Sequence, residues 1–202
     1  KQHWQPDPVG QMLLILPAWL GVPEEHAQRL VLKMDPGSAF GTGSHPTTRL
    51  CLEALEQLPP ATMRVADLGC GSGVLGLAAL ALGARQVLAV DTDSLAVSAT
   101  ADNAALNGLS ADALRVRQGS VEVLQNLLAQ QPADLLLCNI LAPVIEALAP
   151  HFEAVLRPGG RGLLSGLLVE QAPRLTAVLE GLGWKVRPLA EQARWGLLEI
   201  QR

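Results

Sequence analysis

The chain has 202 residues, close to half of them apolar, with a formal charge of −4 and an acidic pI near 5.5. That length can bury one substantial core and a small appendage, and the negative balance disfavours a sequence-independent grip on nucleic acid or on an anionic membrane. Cys51, Cys70 and Cys138 are odd in number and far apart, with no CxxC pair or Cys/His cluster. Reduced thiols in a cytoplasmic protein, with no metal site, are therefore expected.

The apolar runs "VLGLAALALGA" and "LLLCNILAPVIEALAP" are too short or too interrupted to span a bilayer. The chain begins at Lys1, lacks a signal-peptide pattern, and reads as a fragment. Residues 1–43 read as a linker with short strands and a loop, and 44–202 as the main domain. In the first part, "QMLLILPAWLG" and "RLVLKM" suggest two short strands, or pieces packing beside the main domain. The loop "MDPGSAFGTGSHPTT" follows, carrying Phe40 between flexible glycines. Phe40 either closes over a bound small molecule or anchors the loop to the core. Ser44 or His45 can cap a helix whose first turn holds Pro46, with Leu50, Ala54, Leu55 and Leu58 on one face.

Beyond this helix, short apolar runs alternate with helix-length segments. The predicted strands are "RVADLG", "QVLAVD", "LRVRQG", "ADLLLCN", "RGLLSG", "WKVRPLA" and "RWGLLEIQ". Helices are expected near 73–82, 95–107, 121–130, 141–156 and 169–182, while "RPGGR" reads as a helix-ending turn. Strands apolar on both faces and separated by crossover helices imply a parallel sheet covered on both sides. The turn around Glu191–Ala193 is too short for a crossover, so the last two strands form an antiparallel hairpin. Trp184 and Trp195 are expected in its core.

"VADLGCGSGVLGLAALALG" carries the strongest motif. Asp67 ends a β-rich run, Gly69, Gly71 and Gly73 alternate, and a helix opens at once. Glycines here permit a sharp turn and a close approach of backbone to ligand. "QVLAVDTD" then ends the next strand at Asp91, where a carboxylate can accept both hydroxyls of a ribose. Asp93 suits the cap of the helix that follows. A dinucleotide fingerprint needs glycine at position 74, which is Val74, and no lysine follows to hold phosphates as in a P-loop.

The fourth strand ends in Asn139, an amide costly to bury without partners. It either caps the next helix or lends its carbonyl oxygen to a nucleophilic amine. Methyltransferases of nucleobase amines often carry Asn-Pro-Pro-Tyr here, the ring stacking on a flipped base. Asn139-Ile140-Leu141-Ala142 has no ring and the chain has no tyrosine, which favours a flexible aliphatic amine.

The "DLGCGSG" turn with its downstream acid resembles motif I of class I S-adenosylmethionine-dependent methyltransferases. Together with "MDPGSAFGTGSHPTTRLCLEAL", "VDTD", "NIL" and the lead-in "HWQPDPVG…LLILPAW", it closely resembles the PrmA family, the methyltransferases of ribosomal protein L-eleven. The resemblance covers essentially the whole chain. It implies a three-layer, Rossmann-like α/β fold with a seven-stranded, mostly parallel sheet and an antiparallel last strand. It further implies S-adenosyl-L-methionine as cofactor, S-adenosyl-L-homocysteine as product, and lysine ε-amines and an α-amine of that ribosomal protein as acceptors. Cofactor contacts are implied at Thr48, Gly69, Asp91 and Asn139, with Gly71, Asp67 and Phe40 added from the motifs. Thr48 alone is also consistent with simple helix-start chemistry, and His45 suits loop positioning better than a base. The family's small amino-terminal recognition domain is absent from this sequence. A small-molecule or nucleic-acid methyltransferase on the same fold, and a cofactor-binding fragment without activity, are the alternatives.

Overall fold

The computed structural model describes residues 4–35, 37 and 44–202. Strands β1 (Asp7–Val9), β2 (Leu13–Pro17) and β3 (Leu30–Met34) form a small sheet in that order, β2 and β3 parallel. The main sheet holds β4 (Arg64–Leu68), β5 (Gln86–Asp91), β6 (Leu114–Gln118), β7 (Ala133–Asn139), β8 (Leu156–Leu168), β9 (Lys185–Gln192) and β10 (Trp195–Gln201). Its order is β6-β5-β4-β7-β8-β10-β9, and β10 alone runs against its neighbours. The expected mostly parallel, seven-stranded sheet with a reversed last strand is the one observed.

Alternation along each strand splits the core in two. Val65, Leu135 and Leu137 face one layer, built by α1 (Pro46–Gln57), α2 (Val74–Ala81), α3 (Ser94–Leu106) and the small sheet. Ala66, Leu136 and Cys138 face the other layer, built by α4 (Val121–Leu128), α5 (Ala142–Leu148), α6 (Phe152–Val155) and α7 (Ala172–Gly181). The small sheet is joined to α1 by the Arg49–Asp7 ion pair at 3.0 Å. Glu56 near the end of α1 accepts the backbone N–H groups of Gln11, Met12 and Leu13.

Several expectations need correction. The helix expected over 141–156 is broken by a 3-10 turn at Ala149–His151, because Pro150 has no N–H for the helical ladder. "RPGGR" lies inside β8, not in a helix-ending turn; residues between Leu156 and Arg161 bulge out of register with β7. The last hairpin turns at Ala193 and Arg194, both with positive φ. Trp184 is buried as expected, but Trp195 is only half-buried and meets the His45 ring edge-on, centroids 5.1 Å apart.

Candidate active site

After β4 the chain moves outward through β5 and β6, then returns to place β7 on the other side of β4. The carboxyl ends of β4 and β7 therefore flank a topological switch point, where open α/β sheets bind ligands. A cleft of about 280 Å³ lies there, near the lower end of ligand-site volumes, roughly 300 Å³. Gly69, Gly71, Asp91 and Asn139 all line it. Thr48 and Asp67 do not; they lie buried beneath. Phe40 lies outside the described residues.

The glycine turn is built from left-handed backbone: φ is +82° at Gly69, +56° at Gly71 and +86° at Gly73. It is tied to the next strand by Gly69 N–H and Cys70 N–H, both donating to the Val90 carbonyl. Asp91 stands at the tip of β5 and accepts from Gly71 N–H through Oδ2 and from Asp93 N–H through Oδ1, each at 2.9 Å. Each carboxylate oxygen retains a lone pair for a further donor in the cleft. Asp93 caps α3 by accepting from Leu95 N–H, as expected.

Asp67 points from β4 toward the α1 layer and is 1% exposed. Its Oδ2 is buried with no hydrogen-bond partner. Burial, and secondarily the nearby Asp91 charge, pushes its carboxyl up to about 7. Burial also pushes the Cys51 thiol up to about 12, and raises Cys70 and Cys138 strongly, so all three stay protonated and unreactive.

Helix α1 brings the second half of the site. His45 caps it, Nδ1 accepting from Thr47 N–H, with Pro46 in its first turn. This start places Thr48 Oγ1 3.4 Å from Asn139 Nδ2. That contact is long, but it draws the Asn139 nitrogen toward α1, and among the described residues Oδ1 has no hydrogen-bond partner. The turn after Asn139 is narrow. Ile140 N–H donates to the Ser165 carbonyl at 3.1 Å, and a Cβ at Gly69 would lie 2.5 Å from Ile140 Cγ2. A Cβ at Gly166, a bulged residue of β8 with φ +94°, would overlap the Ile140 carbonyl oxygen. Ile140 is thus held between the glycine turn and β8, and its position fixes that of Asn139.

Gly119, Ser120, Ile140, Val144 and Leu148 also line the cleft and were missed in the sequence. Gly119 and Ser120 follow β6 directly, so the rule that ligands lie outside strand carboxyl ends could have found them. Among the described residues no lysine or arginine lines the cleft. A strand-tip carboxylate, a glycine turn and apolar walls from Ala96, Val144 and Leu148 suit an adenosyl group better than a pyrophosphate. Among the described residues no group of His, Cys, Asp or Glu could hold a metal ion.

A family model described as ribosomal protein L11 methyltransferase (PrmA) matches residues 1–202. The chain belongs to this family. It is 74% identical over 202 residues to the ribosomal protein L11 methyltransferase of Parasynechococcus marenigrum strain WH8102, covering all of this chain and 70% of that protein. It is 49% identical to the protein of the same name from Thermosynechococcus vestitus, again over all of this chain and 67% of the relative. A crystal structure of a ribosomal protein L11 methylase from Lactobacillus delbrueckii subsp. bulgaricus superposes with a TM-score of 0.85 at 32% identity, covering 98% and 99% of the two chains. A T. thermophilus 16S rRNA methyltransferase, solved with AdoMet and guanosine, superposes with a TM-score of 0.64 at 28% identity over 81% of this chain and 45% of that one. The family's fold is the class I methyltransferase fold read from the motifs.

Proposed function

We propose that this chain carries the catalytic half of a protein N-methyltransferase acting on lysine ε-amines and an α-amine of ribosomal protein L11. The observation that carries the reading is the placement of Asn139: it lines the cleft one residue from the contact with the glycine turn, its amide nitrogen held by Thr48. When bound, S-adenosylmethionine supplies an electrophilic sulfonium methyl and leaves as S-adenosylhomocysteine. Gly69 and Gly71 offer backbone at close approach, and Asp91 suits the ribose hydroxyls. Asp67 lies buried beneath the turn with one carboxyl oxygen unpartnered, where a cationic methionine moiety would favour its ionised form.

Asn139 Oδ1 is suited to accept an N–H of the acceptor amine and aim its lone pair along the line of displacement. A free lysine has pKa about 10.4, so near neutral pH only about 0.1% is unprotonated, a cost of about 4 kcal/mol. Desolvation among Ile140, Val144 and Leu148, beside a cationic cofactor, lowers that pKa and offsets part of the cost. A dedicated general base is not required. Ile140, Leu141 and Ala142 supply no ring to stack on a base, which weighs against a nucleobase acceptor. A ribosomal-protein substrate fits a cytoplasmic enzyme.

The test is S-adenosylhomocysteine formation by the full-length protein and by this fragment, each with purified ribosomal protein L11, ribosomal RNA and free lysine. Transfer to the ribosomal protein by the full-length form supports the assignment. Transfer to RNA or to a small molecule instead would replace it. Activity confined to the full-length form would make this part the cofactor-binding half that depends on a recognition domain.

A further inference from the structure

Helix α3 is rich in alanine, yet Thr100, Asn103 and Asn107 recur along one side at helical spacing. Thr100 and Asn103 are 0% and 1% exposed, and both spend their polar groups on the back of the glycine turn. Thr100 Oγ1 donates to the Gly71 carbonyl at 2.9 Å, and Asn103 Nδ2 donates to the Ser72 carbonyl at 2.8 Å. Asn103 Oδ1 accepts from Asp35 N–H at 2.9 Å, just past the end of β3. Asn107 completes the seam: Oδ1 accepts from Lys33 N–H, and Nδ2 donates to the Lys33 carbonyl and to the Asn103 carbonyl.

We propose that Asn103 is a positioning residue for cofactor binding, shaping the glycine turn through the Ser72 carbonyl and coupling it to the carboxyl end of β3. A turn with three left-handed glycines is poorly specified by its own residues. Its shape must come from outside. Bonds from α3 hold the Gly71 and Ser72 carbonyls away from the cleft, while Gly71 N–H is held toward Asp91. The turn is thereby ordered before a ligand arrives, which removes an ordering cost from binding. Since one amide serves both arms, a shift at Asp35 and a shift at Ser72 cannot occur independently.

The inference rests on the reading that the cleft binds S-adenosylmethionine, and the experiment separates the two. S-adenosylhomocysteine binding is measured by calorimetry on the full-length protein and on Asn103→Leu and Asn103→Asp, at a temperature where circular dichroism shows each folded. Asn103→Asp keeps the acceptor for Asp35 N–H and loses the donor to Ser72; Asn103→Leu loses both. Each should weaken binding by about tenfold or more, the penalty of a buried carbonyl left without its donor. The KM for S-adenosylmethionine should rise by a comparable factor. In the unaltered protein, S-adenosylhomocysteine should slow hydrogen exchange at the Asp35 amide. Unchanged affinity in the folded variants, or no change at the Asp35 amide, would overturn the inference. No binding to the unaltered protein would instead overturn the assignment of the cleft.

Discussion

Thr48 and Asn139 lie 91 positions apart in the chain and meet 3.4 Å apart at the carboxyl end of β7. The contact ties the Asn139 amide to helix α1. Asn139→Ala should therefore lower turnover by about a hundredfold while changing cofactor affinity by less than about threefold, as loss of an orienting group does. Comparable losses in turnover and in calorimetric affinity would remove the orienting role. Thr48→Val, which keeps the shape and removes the hydroxyl, should cost turnover about two- to tenfold, the worth of one ordinary hydrogen bond.

Gly69→Ala is predicted to weaken cofactor binding for two reasons: a φ of +82° and the 2.5 Å approach of Ile140 Cγ2. The second reason can be isolated. Ile140→Ala in the same chain removes Cγ2 and should recover part of the affinity. If the double variant binds no better than Gly69→Ala alone, the Ile140 contact does not limit the turn.

Asp67 gives a pH signature of definite sign. Its folded carboxyl holds its proton up to about 7, whereas an unfolded aspartate releases it near about 3.9. Between these values the folded state binds the extra proton, so this group's contribution to stability is greatest at low pH. It declines as pH rises through the folded pKa and is flat above it. Asp67→Asn abolishes that loss. Its melting temperature relative to the parent should rise from pH 4 to pH 7, reaching several degrees by pH 8 at about 2–4 °C per kcal/mol. A pH-independent difference between the two proteins would show that Asp67 is ionised throughout.

The hairpin between β9 and β10 turns through Ala193 and Arg194 with φ of +49° and +70°. Neither residue favours that region, which asparagine and glycine occupy readily. Arg194→Gly should raise stability by about 1 kcal/mol. Its exposed ion pair with Glu170 contributes little against that. Thermal denaturation checks the sign; a lower melting temperature would mean that the ion pair outweighs the backbone strain.

Much of this architecture could be read from residues, and what could not has a physical reason. Strands β4, β5, β7 and the second half of β8 announce themselves because burial on both faces demands apolar runs, and the short link to β10 forces its reversal. Gly69, Gly71, Asp91 and Asn139 were legible because each sits at a strand's carboxyl end, where topology alone points to a cleft. β1 escaped notice because three residues including Pro8 have no periodicity to detect. The break at Pro150 was visible, but an apolar run on either side suggested one helix. Asn103 and Gly166 were not legible, since their partners Ser72 and Ile140 come near only through folding.

The central claim is that the glycine turn and the β5-tip carboxylate together hold an adenosyl sulfonium, and its most direct test is calorimetry. S-adenosylhomocysteine should bind at a single site, and Asp91→Ala should weaken it by about tenfold or more, as when a buried charge-assisted hydrogen bond is lost. Equal binding by the parent and Asp91→Ala, or a parent that takes up NAD in preference to S-adenosylhomocysteine, would contradict it.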